Sequence, residues 1–474
     1  MKRLKKFLFG IMIVSAFMVT SAAASEVVGD VKDSAARIDI EETKKNVFNN
    51  MLNSIDHYDA VEGEFTTTLI SDEENTVVTY ATNIVEQEAY QKISEGTKIT
   101  EIFAKDGVIR TYDNKAKTYK VENVDNQYEL AERVKANYDI CSAPIVSEEK
   151  NARAGEPVFS DRIGEKDGVP VYRYRTDLTN TSHASASIFP QELTFGLLAN
   201  PETWEIAGET EYVGREALVI EGYVEDALYA EKINVEEFRL TVDKETGIIL
   251  EFIGFDANGN ETESIKTNEL LVVIDSDEKE IVTVAPAEEE QYAEFAQIVP
   301  KAREKEENSQ FVESAVTNST RASTAVTTCF IDNDTSDRDN YYNERGGFTA
   351  YLNDSNYYNG DMRRALSSST DSYTWFMYDA PSVSSTKTVR VDLDVYLYSS
   401  TSNDTAAQLA AETSAYESQL IANMNQKLAP NGWSSYARQF KFINNANFLG
   451  IAIYASGTGS GYTGADAVEF TLTT

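Results

Sequence analysis

Apolar residues recur along the chain with two periods, and the change of period marks the first elements. Residues 41–56 show the spacing of a helix with one apolar face. From about residue 60 onwards apolar and polar residues alternate, which predicts strands with one buried face. Short turn sequences such as Lys105-Asp106-Gly107 separate these strands and predict hairpins. The pattern therefore predicts a helix that leads into an antiparallel sheet.

The clearest hairpin covers residues 238–260, with its turn at 243–247. Alternation predicts that one apolar set shares a face: Phe238, Leu240, Val242, Ile248, Leu250 and Phe252. A sheet with one apolar face must cover that face. The covering elements can be the helix at 41–56 and an apolar loop or short helix at 187–206. A curved sheet covered in this way encloses an interior that is either packed solid or holds an apolar ligand.

The side chains that would line this interior form a candidate cavity. They come from the helix, the first strands, the apolar segment at 187–206 and the hairpin. The candidate cavity residues are Phe48, Leu52, Phe65, Phe189, Phe195, Leu198, Trp204, Phe238, Leu240, Leu250 and Phe252. Aromatic stripes of this kind are also typical of a dry core, so the sequence leaves both interpretations open.

The second half of the chain has a different composition, rich in Tyr, Asn, Asp, Ser and Gly. Its short strands and loops predict a β-sandwich over residues 328–474. Residues 404–428 are an exception, because apolar residues at helical spacing predict one inserted helix that ends before Pro430. Between the halves, residues 276–327 are acidic and then Ser/Thr-rich. This composition predicts a linker, with a helix over part of it at 288–307.

The predicted organisation is an α+β domain followed by an all-β sandwich with one inserted helix. The α+β domain is a curved antiparallel sheet, or an unclosed barrel, with helices in the concave side. The predicted boundaries are 1–24 for a signal peptide, 25–40 for a flexible start, 41–275 for the open-barrel domain, 276–327 for the linker and 328–474 for the sandwich.

The first 24 residues have the features of a secretory signal peptide. A basic start precedes an apolar run at 7–19, and Ala22, Ala23 and Ala24 form a small-residue cleavage site. The sequence therefore predicts a bacterial protein that is secreted or held in the cell envelope, with no transmembrane span after signal removal. The formal net charge is −36, and loss of the basic start makes it more negative. Such a charge repels nucleic acid, so no nucleic-acid partner is predicted.

Catalytic chemistry finds little support in the sequence. The chain has two histidines, and it carries no zinc-protease motif, no nucleophile elbow and no Cys–His pairing at useful spacing. We therefore predict no catalytic residue, no cofactor and no enzyme activity. A glycosidase stays open, because the carboxylates are too numerous to single out a pair. Cys141 and Cys329 can form an extracellular disulfide or stay unpaired.

A weak calcium candidate lies at the start of the second half. Carboxylates at the density found in residues 331–340 can bind Ca²⁺. The candidates are Asp332, Asp334, Asp337 and Asp339. The EF-hand template fails, because Asp337 takes its glycine position and Asn343 its final glutamate position. A solvated loop is the favoured interpretation, and no resident metal is predicted.

Residues 40–275 resemble the LolA-like bacterial lipoprotein-carrier superfamily, which includes RseB-type sensors. The resemblance rests on a helix leading into a Gly-x-Phe strand (55–65), the hairpin at 105–107, the Gly214–Arg215–Glu216–Ala217 turn and the phrase LTVDKETGIILEFIGFDANGNE. It implies an unclosed barrel with helices that plug an apolar cavity, and binding of acyl chains or sensing of envelope lipid. This chain departs from the family in its greater length and its extra domain.

Residues 329–474 resemble the golvesin C-terminal or xanthan-lyase carbohydrate-binding-like sandwich. The matching residues, in the family's order, are Tyr357, Tyr358, Gly360, Trp375, Gly432, Trp433, Ala465, Asp466, Ala467, Val468 and Phe470. The resemblance implies an appended module that binds glycan or cell-wall material. Tyrosine rings can stack on sugars, and the glycan-contact candidates are Tyr341, Tyr342, Tyr351, Tyr357 and Tyr358. The alternative is that these rings pack strand edges.

The leading hypothesis is a secreted, non-enzymatic protein that binds a lipid, acyl chain or other apolar ligand, as a carrier or envelope sensor. Its sandwich would contact glycan or cell wall. The alternative is an extracellular protein–protein interaction protein with dry cores, or an envelope-stress regulator that binds an anti-sigma factor. A concave face packed solid by its own side chains favours the alternative.

Overall fold

A computed structural model describes most of the chain outside its two ends and the linker. The described residues are 42–70, 74–123, 162–175, 177, 179, 181–274, 286, 288–294, 326–333, 342–352, 357–358, 361–367, 372–377, 382–415, 417–456 and 461–473. The predicted signal peptide, the flexible start and most of the linker lie outside them. Their predicted boundaries stay predictions.

Most strands of the first half join one antiparallel sheet. The strands of this half are β1 (Ala60–Leu69), β2 (Glu74–Asn83), β3 (Glu88–Glu95), β4 (Lys98–Lys105), β5 (Val108–Asp113), β6 (Thr118–Asn123), β7 (Ile163–Lys166), β8 (Val169–Arg173), β9 (Trp204–Tyr212), β10 (Arg215–Tyr223), β11 (Glu237–Asp243), β12 (Ile249–Phe255) and β13 (Glu261–Val273). The order in the sheet is β6-β5-β4-β3-β2-β1-β13-β12-β11-β10-β9. Among the described pairings β6 and β9 do not meet, so the sheet is open, as the sequence predicted.

Among the described residues, four helices accompany this sheet. They are α1 (42–52), α2 (Ser185–Ile188), α3 (Gln191–Leu198) and α4 (Ala227–Ile233). All four contribute buried apolar residues to the same core as the strands, and α1, α2 and α3 cover the apolar face of the sheet. The predicted helix at 41–56 and the predicted short helix within 187–206 are confirmed. A single 3₁₀ turn, Ser54–Asp56, extends α1.

Close packing requires the glycine of the Gly-x-Phe motif in β1. A Cβ on Gly63 would stand 2.3 Å from the carbonyl oxygen of Glu269 and 2.8 Å from the hydroxyl of Tyr80. Only glycine lets β13 and the Tyr80 side chain approach β1 this closely. Two positions further on, Phe65 is fully buried and its ring lies 5.9 Å from that of Tyr80. The phrase therefore fixes the packing at the centre of the sheet.

The turn between β11 and β12 is held by one buried carboxylate. Asp243 accepts hydrogen bonds from the backbone N–H of Thr246 at 2.8 Å, the Thr246 hydroxyl at 2.8 Å and Arg215 Nε at 2.7 Å. Gly247 follows with a φ of +77°, and a Cβ there would stand 2.5 Å from the backbone of Asn50. The turn therefore needs glycine both for its conformation and for contact with α1. Two phrases that are far apart in sequence, the Gly214–Ala217 turn and the 243–247 turn, form one structure.

Most of the described strands of the second half form three groups. The remaining strands are β14 (Ala293–Glu294), β15 (Val326–Asp332), β16 (Tyr342–Arg345), β17 (Thr349–Leu352), β18 (Asp361–Leu366), β19 (Tyr373–Met377), β20 (Ser382–Val383), β21 (Val389–Leu397), β22 (Ala407–Thr413), β23 (Ser418–Met424), β24 (Gly432–Phe440), β25 (Ala446–Tyr454), β26 (Tyr462–Ala465) and β27 (Ala467–Thr473). One group has the order β23-β22-β25-β19-β16, a second the order β15-β27-β21-β24-β8-β7, and a third the order β17-β18-β26. Phe448 of β25 packs on Phe470 of β27 with ring centroids 5.6 Å apart, which joins the first two groups.

The predicted helix at 404–428 is wrong. This segment forms the hairpin β22–β23 instead, in which Ala407 pairs with Met424 and Leu409 with Ala422. Almost every side chain of both strands is buried, so neither strand shows the alternation of a half-exposed strand. Leu409, Leu420 and Met424 are buried as expected, but on strands. Likewise, residues 288–294 form a 3₁₀ turn (Glu289–Gln291) and β14 instead of the predicted helix.

The two halves meet along a line of contacts that we call the seam. β8, which belongs to the first half of the sequence, pairs in parallel with β24. The Tyr229 hydroxyl donates to the carbonyl oxygen of Leu428 at 2.6 Å, and Lys427 Nζ lies 2.5 Å from a carboxylate oxygen of Glu263. By its contacts the chain divides into Met1–Thr43, of which only residues 42–43 are described, and Lys44–Thr474. The division predicted at 276–327 thus stays a prediction, because both halves lie in one compact unit.

Candidate functional site

The candidate cavity is filled by its own side chains. All eleven of its residues are buried, and Trp204, the most exposed of them, has 3 % of its surface accessible. The sequence therefore identified residues that do meet in one interior. That interior is a packed core in the described part of the chain, which is the outcome that favours the dry-core alternative.

Aromatic rings of α3 and its neighbours account for much of this filling. Phe195 of α3 lies 6.3 Å from Phe48 of α1, 5.4 Å from Tyr172 and 5.1 Å from Tyr174, measured between ring centroids. These distances are typical of favourable edge-to-face and tilted ring pairs. An acyl chain could reach this position only if α3 moved away.

Hydrogen bonds hold α2 and α3 in place. The Ser187 hydroxyl donates to the carbonyl oxygen of Ile249 at 2.8 Å, and the Ser54 hydroxyl donates to that of Ile188 at 2.6 Å. At the other end of α3, Trp204 Nε1 donates to the carbonyl oxygen of Leu198 at 3.1 Å. These buried bonds tie the covering helices to β12, to α1 and to the start of β9. Movement of the helices would leave buried polar groups unpaired, which is costly.

A small polar cavity lies where α3 meets the second half. Its volume is about 30 Å³, and its walls include Tyr174, Arg175, Glu192, Asn423 and Tyr436. This is room for about two water molecules. The Tyr174 and Tyr436 rings stack with centroids 5.1 Å apart. The cavity is far too small and too polar for an acyl chain.

Charge in this polar cavity is partly compensated. The Arg175 guanidinium binds the Asp56 carboxylate with N–O distances of 2.6 and 2.9 Å. The Glu192 carboxyl is buried, and burial raises its pKa to about 7, while the backbone N–H of Asn425 opposes that rise. No local pattern pointed to this cluster, because Asn423 and Tyr436 lie more than 200 positions from Arg175 and Glu192 in the sequence. Only the pairing of β8 with β24 brings them together.

A second group of aromatic residues lies on the outer face of the six-stranded sheet. We call it the aromatic corner: Phe330, Tyr358, Tyr396 and Trp433. Tyr358 lies 5.0 Å from Phe330 and 6.1 Å from Trp433 between ring centroids. Lys166 Nζ stands 4.1 Å from the Trp433 ring centroid, and it also lies 3.0 Å from Glu469. Phe330 is 41 % exposed, so part of this apolar surface faces solvent.

The glycan-contact candidates divide by burial. Tyr342 is fully buried and Tyr357 is 5 % exposed, so neither ring presents a face to solvent. Tyr358 is half-buried in the aromatic corner. Tyr341 and the side chain of Tyr351 lie outside the described residues. A role in glycan contact stays a prediction, and Tyr358 is the described candidate whose position fits it.

The remaining candidates are only partly within the described residues. Asp332 is buried at the end of β15, while Asp334, Asp337 and Asp339 lie outside the description. In the described ranges no three His, Cys, Asp or Glu side chains converge as a metal site would require. Cys329 is half-buried in β15, and burial raises the pKa of its thiol to about 12. Cys141 lies outside the described residues, so the disulfide stays a prediction.

Histidine chemistry finds no support from the geometry of His183. The residue is half-buried, and desolvation lowers the pKa of its imidazole to about 4, with the Lys98 ammonium adding to the effect. Its Nε2 lies 3.4 Å from the Thr405 hydroxyl. Such an imidazole is neutral at pH 7. Separately, no helix among the described residues is long and apolar enough to cross a membrane.

Comparisons with known proteins give weak structural likenesses. No family model matches the chain, and no curated protein matches it. Among solved structures, the Pseudomonas aeruginosa MucA/MucB complex is 10 % identical with a TM-score of 0.27, covering 86 % of this chain and 93 % of that one. LprF from Mycobacterium bovis is 10 % identical with a TM-score of 0.25, covering 51 % and 96 %.

A third likeness is to a polysaccharide lyase. Paenibacillus xanthan lyase is 12 % identical with a TM-score of 0.23, and the match covers 84 % of this chain and 37 % of that one. TM-scores this low do not establish a shared fold.

Proposed function

We propose that this chain is a non-enzymatic protein of the bacterial envelope or extracellular space that acts by binding another protein on its outer surface. The observation that supports this most is the filled interior: all eleven candidate cavity residues are buried, and the polar cavity beside α3 holds about 30 Å³. A carrier needs an interior of several hundred Å³ for its ligand, roughly 300–1,000 Å³ for a drug-sized molecule. An envelope regulator that binds an anti-sigma factor is one form of this proposal.

Binding of a lipid or acyl chain is the alternative, and it requires α2 and α3 to move off the sheet. A titration with a fluorescent fatty acid, with native mass spectrometry of the purified protein, separates the two. We expect no saturable binding and no co-purified lipid. A one-to-one lipid complex that is weakened when Phe195 is replaced by the larger Trp would overturn the proposal.

Glycan contact by the aromatic corner is a second candidate function. It is favoured by the partial exposure of Phe330 and Tyr358 beside the charged groups Lys166 and Glu469, since sugars pair apolar ring contacts with hydrogen bonds. Sedimentation with purified cell wall tests it. We expect binding to fall several-fold in a Phe330→Ser/Tyr358→Ser variant and to be unchanged in Ile443→Ser, an exposed apolar control. Equal binding by all three proteins would remove the aromatic corner from consideration.

A further inference from the structure

The sheet of the first half carries a second aromatic row, on the face opposite the helices. Side chains alternate between faces along a strand, so Ile102 and Ile109 point into the core while Phe103 and Tyr112 point away from it. Phe103 and Tyr112 have ring centroids 5.8 Å apart, and Tyr112 stacks on Tyr119 of β6 at 5.2 Å. Rings on the outer face of a sheet, beside its edge strand, are ordinarily exposed to solvent. Here Tyr112 is only 1 % exposed, so something covers it.

The cover is a piece of the predicted linker, residues 288–294, which we call the strap. Tyr292 lies edge-to-face on Tyr112 with ring centroids 5.2 Å apart. The Tyr112 hydroxyl donates to a carboxylate oxygen of Glu289 at 2.7 Å. The backbone N–H of Ala293 donates to the carbonyl oxygen of Lys117 at 2.9 Å, and β14 adds two parallel rungs to β6. The strap thus binds as an added strand that carries one aromatic anchor.

Charge complements these contacts. The strap contains four glutamates in seven residues, Glu288, Glu289, Glu290 and Glu294. The β5–β6 hairpin carries four basic residues, Arg110, Lys115, Lys117 and Lys120, against two acidic ones, in a chain with a net charge of −36. Lys117 Nζ also stands 4.8 Å from the Tyr292 ring centroid, a cation–π geometry. A locally basic edge in so acidic a protein favours an acidic extended peptide.

The strap itself is lightly held. Tyr292 is its one half-buried residue, and every other residue from Glu288 to Glu294 is exposed. The surface beneath it is, by contrast, well buried and preformed on a six-strand run of antiparallel sheet, β1 to β6. Farther along β6, the described pairing resumes only at Asn123, which meets Gln419 of β23. Between these points on β6 lie Lys120, Val121 and Glu122.

We propose that the outer face of β5–β6 is a docking groove for an extended, acidic peptide with one aromatic side chain, and that the strap occupies it in cis until such a peptide displaces it. This rests on the proposed function, because it names the surface on which a protein partner would bind. The expected partner is an extended peptide that matches the contacts of the strap. It has a carboxylate three positions before an aromatic residue, and the residue after the aromatic one has a backbone N–H that can donate a hydrogen bond.

The test is fluorescence anisotropy with a labelled peptide that has the sequence of residues 286–298, added to the chain from residue 25 to 474. The wild-type protein should bind weakly. A variant in which residues 288–294 become Gly/Ser of equal length should bind at least tenfold more tightly. A peptide with Tyr292→Ala should lose that gain. Circular dichroism and a melting curve establish that the variant is folded.

Charge reversal on the groove provides the matched comparison. In the strap-replaced protein, Lys117→Glu should weaken peptide binding at least tenfold, while Lys387→Glu, an exposed lysine of the second half, should leave it unchanged. If the strap-replaced protein is unfolded, the milder Glu289→Gln/Tyr292→Ser variant should show a several-fold gain. A folded strap variant with no gain, or binding indifferent to Tyr292 and Lys117, overturns the proposal. Lipid binding would overturn the proposed function without changing the affinity for the strap peptide. Failure of the proposed function and failure of the docking groove can therefore be told apart.

Discussion

The two halves of the molecule bury their apolar faces in different ways. In the first half, an open sheet is covered by short helices, and Phe195 of α3 fills the space that a ligand would need. In the second half strands cover strands, and β22 and β23 are buried on nearly all sides. Only in the first half could movement of the covering helices open the interior. A sheet covered by helices is therefore no evidence of a cavity until the packing of the covering helix is known.

The largest expected effect comes from emptying the filled interior of the first half. Phe195→Ala should lower the free energy of unfolding by about 3–5 kcal/mol, because it removes a buried ring and leaves a void. Chemical denaturation measures it, with Val213→Ala, at an exposed turn, as a control expected to stay within about 0.5 kcal/mol. A loss for Phe195→Ala no greater than that of the control would mean that this ring lines empty space.

The second expected effect is on the pH dependence of stability, which one buried carboxyl in each half should influence. Burial raises the pKa of Glu192 to about 7, and that of Glu412 to about 7 despite hydrogen bonds from Tyr454 and Trp375. A raised pKa in the folded state means that the folded protein binds more protons than the unfolded chain between pH ~4.5 and 7, so stability falls as pH rises through that window. Glu192→Gln and Glu412→Gln should each reduce the fall in the free energy of unfolding across this pH window by on the order of 2 kcal/mol.

Denaturation at pH 4.5 and pH 7.5 provides the measurement. Surface Glu216→Gln is the control, because its carboxylate is exposed on the β10 strand and should leave the slope unchanged. If Glu192→Gln changes the slope and Glu412→Gln does not, the two halves respond to pH differently. An unchanged slope in both variants would contradict the burial of these carboxyls.

A third effect lies at the seam. Tyr229→Phe removes the buried hydroxyl that donates to the Leu428 carbonyl oxygen at 2.6 Å. The loss should be about 1–2 kcal/mol, since a buried acceptor is left unpaired. Tyr223→Phe, at a half-exposed site, is the matched control. Both halves should still unfold in one transition. Two separate transitions in the wild-type protein would support the division predicted from sequence.

The smallest effect concerns a tyrosine of the second half. Tyr358→Ser should cost less than about 1 kcal/mol, because its ring is half-buried at the surface. Tyr342→Ser, at a fully buried ring 5.1 Å from that of Phe376, should cost about 3–5 kcal/mol. Thermal and chemical unfolding of the two variants check this pair. Equal losses would place the Tyr358 ring in the core and weaken its case as a glycan contact.

Local patterns were enough wherever one face of an element meets solvent. The alternation of the 238–260 hairpin identified its strands and its turn, although Ile249 and Ile253 are buried as well as the predicted apolar set, and the apolar stripe of residues 47–55 identified α1. The pattern misled at 404–428, because strands that are buried on both faces lose their alternation and Leu409, Leu420 and Met424 then coincide with helical spacing. Burial was predicted correctly there, while the element was not.

Composition and period were sufficient to predict which side chains are buried: the eleven candidate cavity residues, the hairpin face and the apolar segment at 187–206. How tightly these side chains fill the interior, the pairing of β8 with β24 and the proximity of Glu192 to Tyr436 depend on the tertiary structure. Hydrophobic periodicity reports the preference of one segment for a buried side. Packing density and long-range strand pairing depend on how distant segments fit together, and no local pattern encodes that fit.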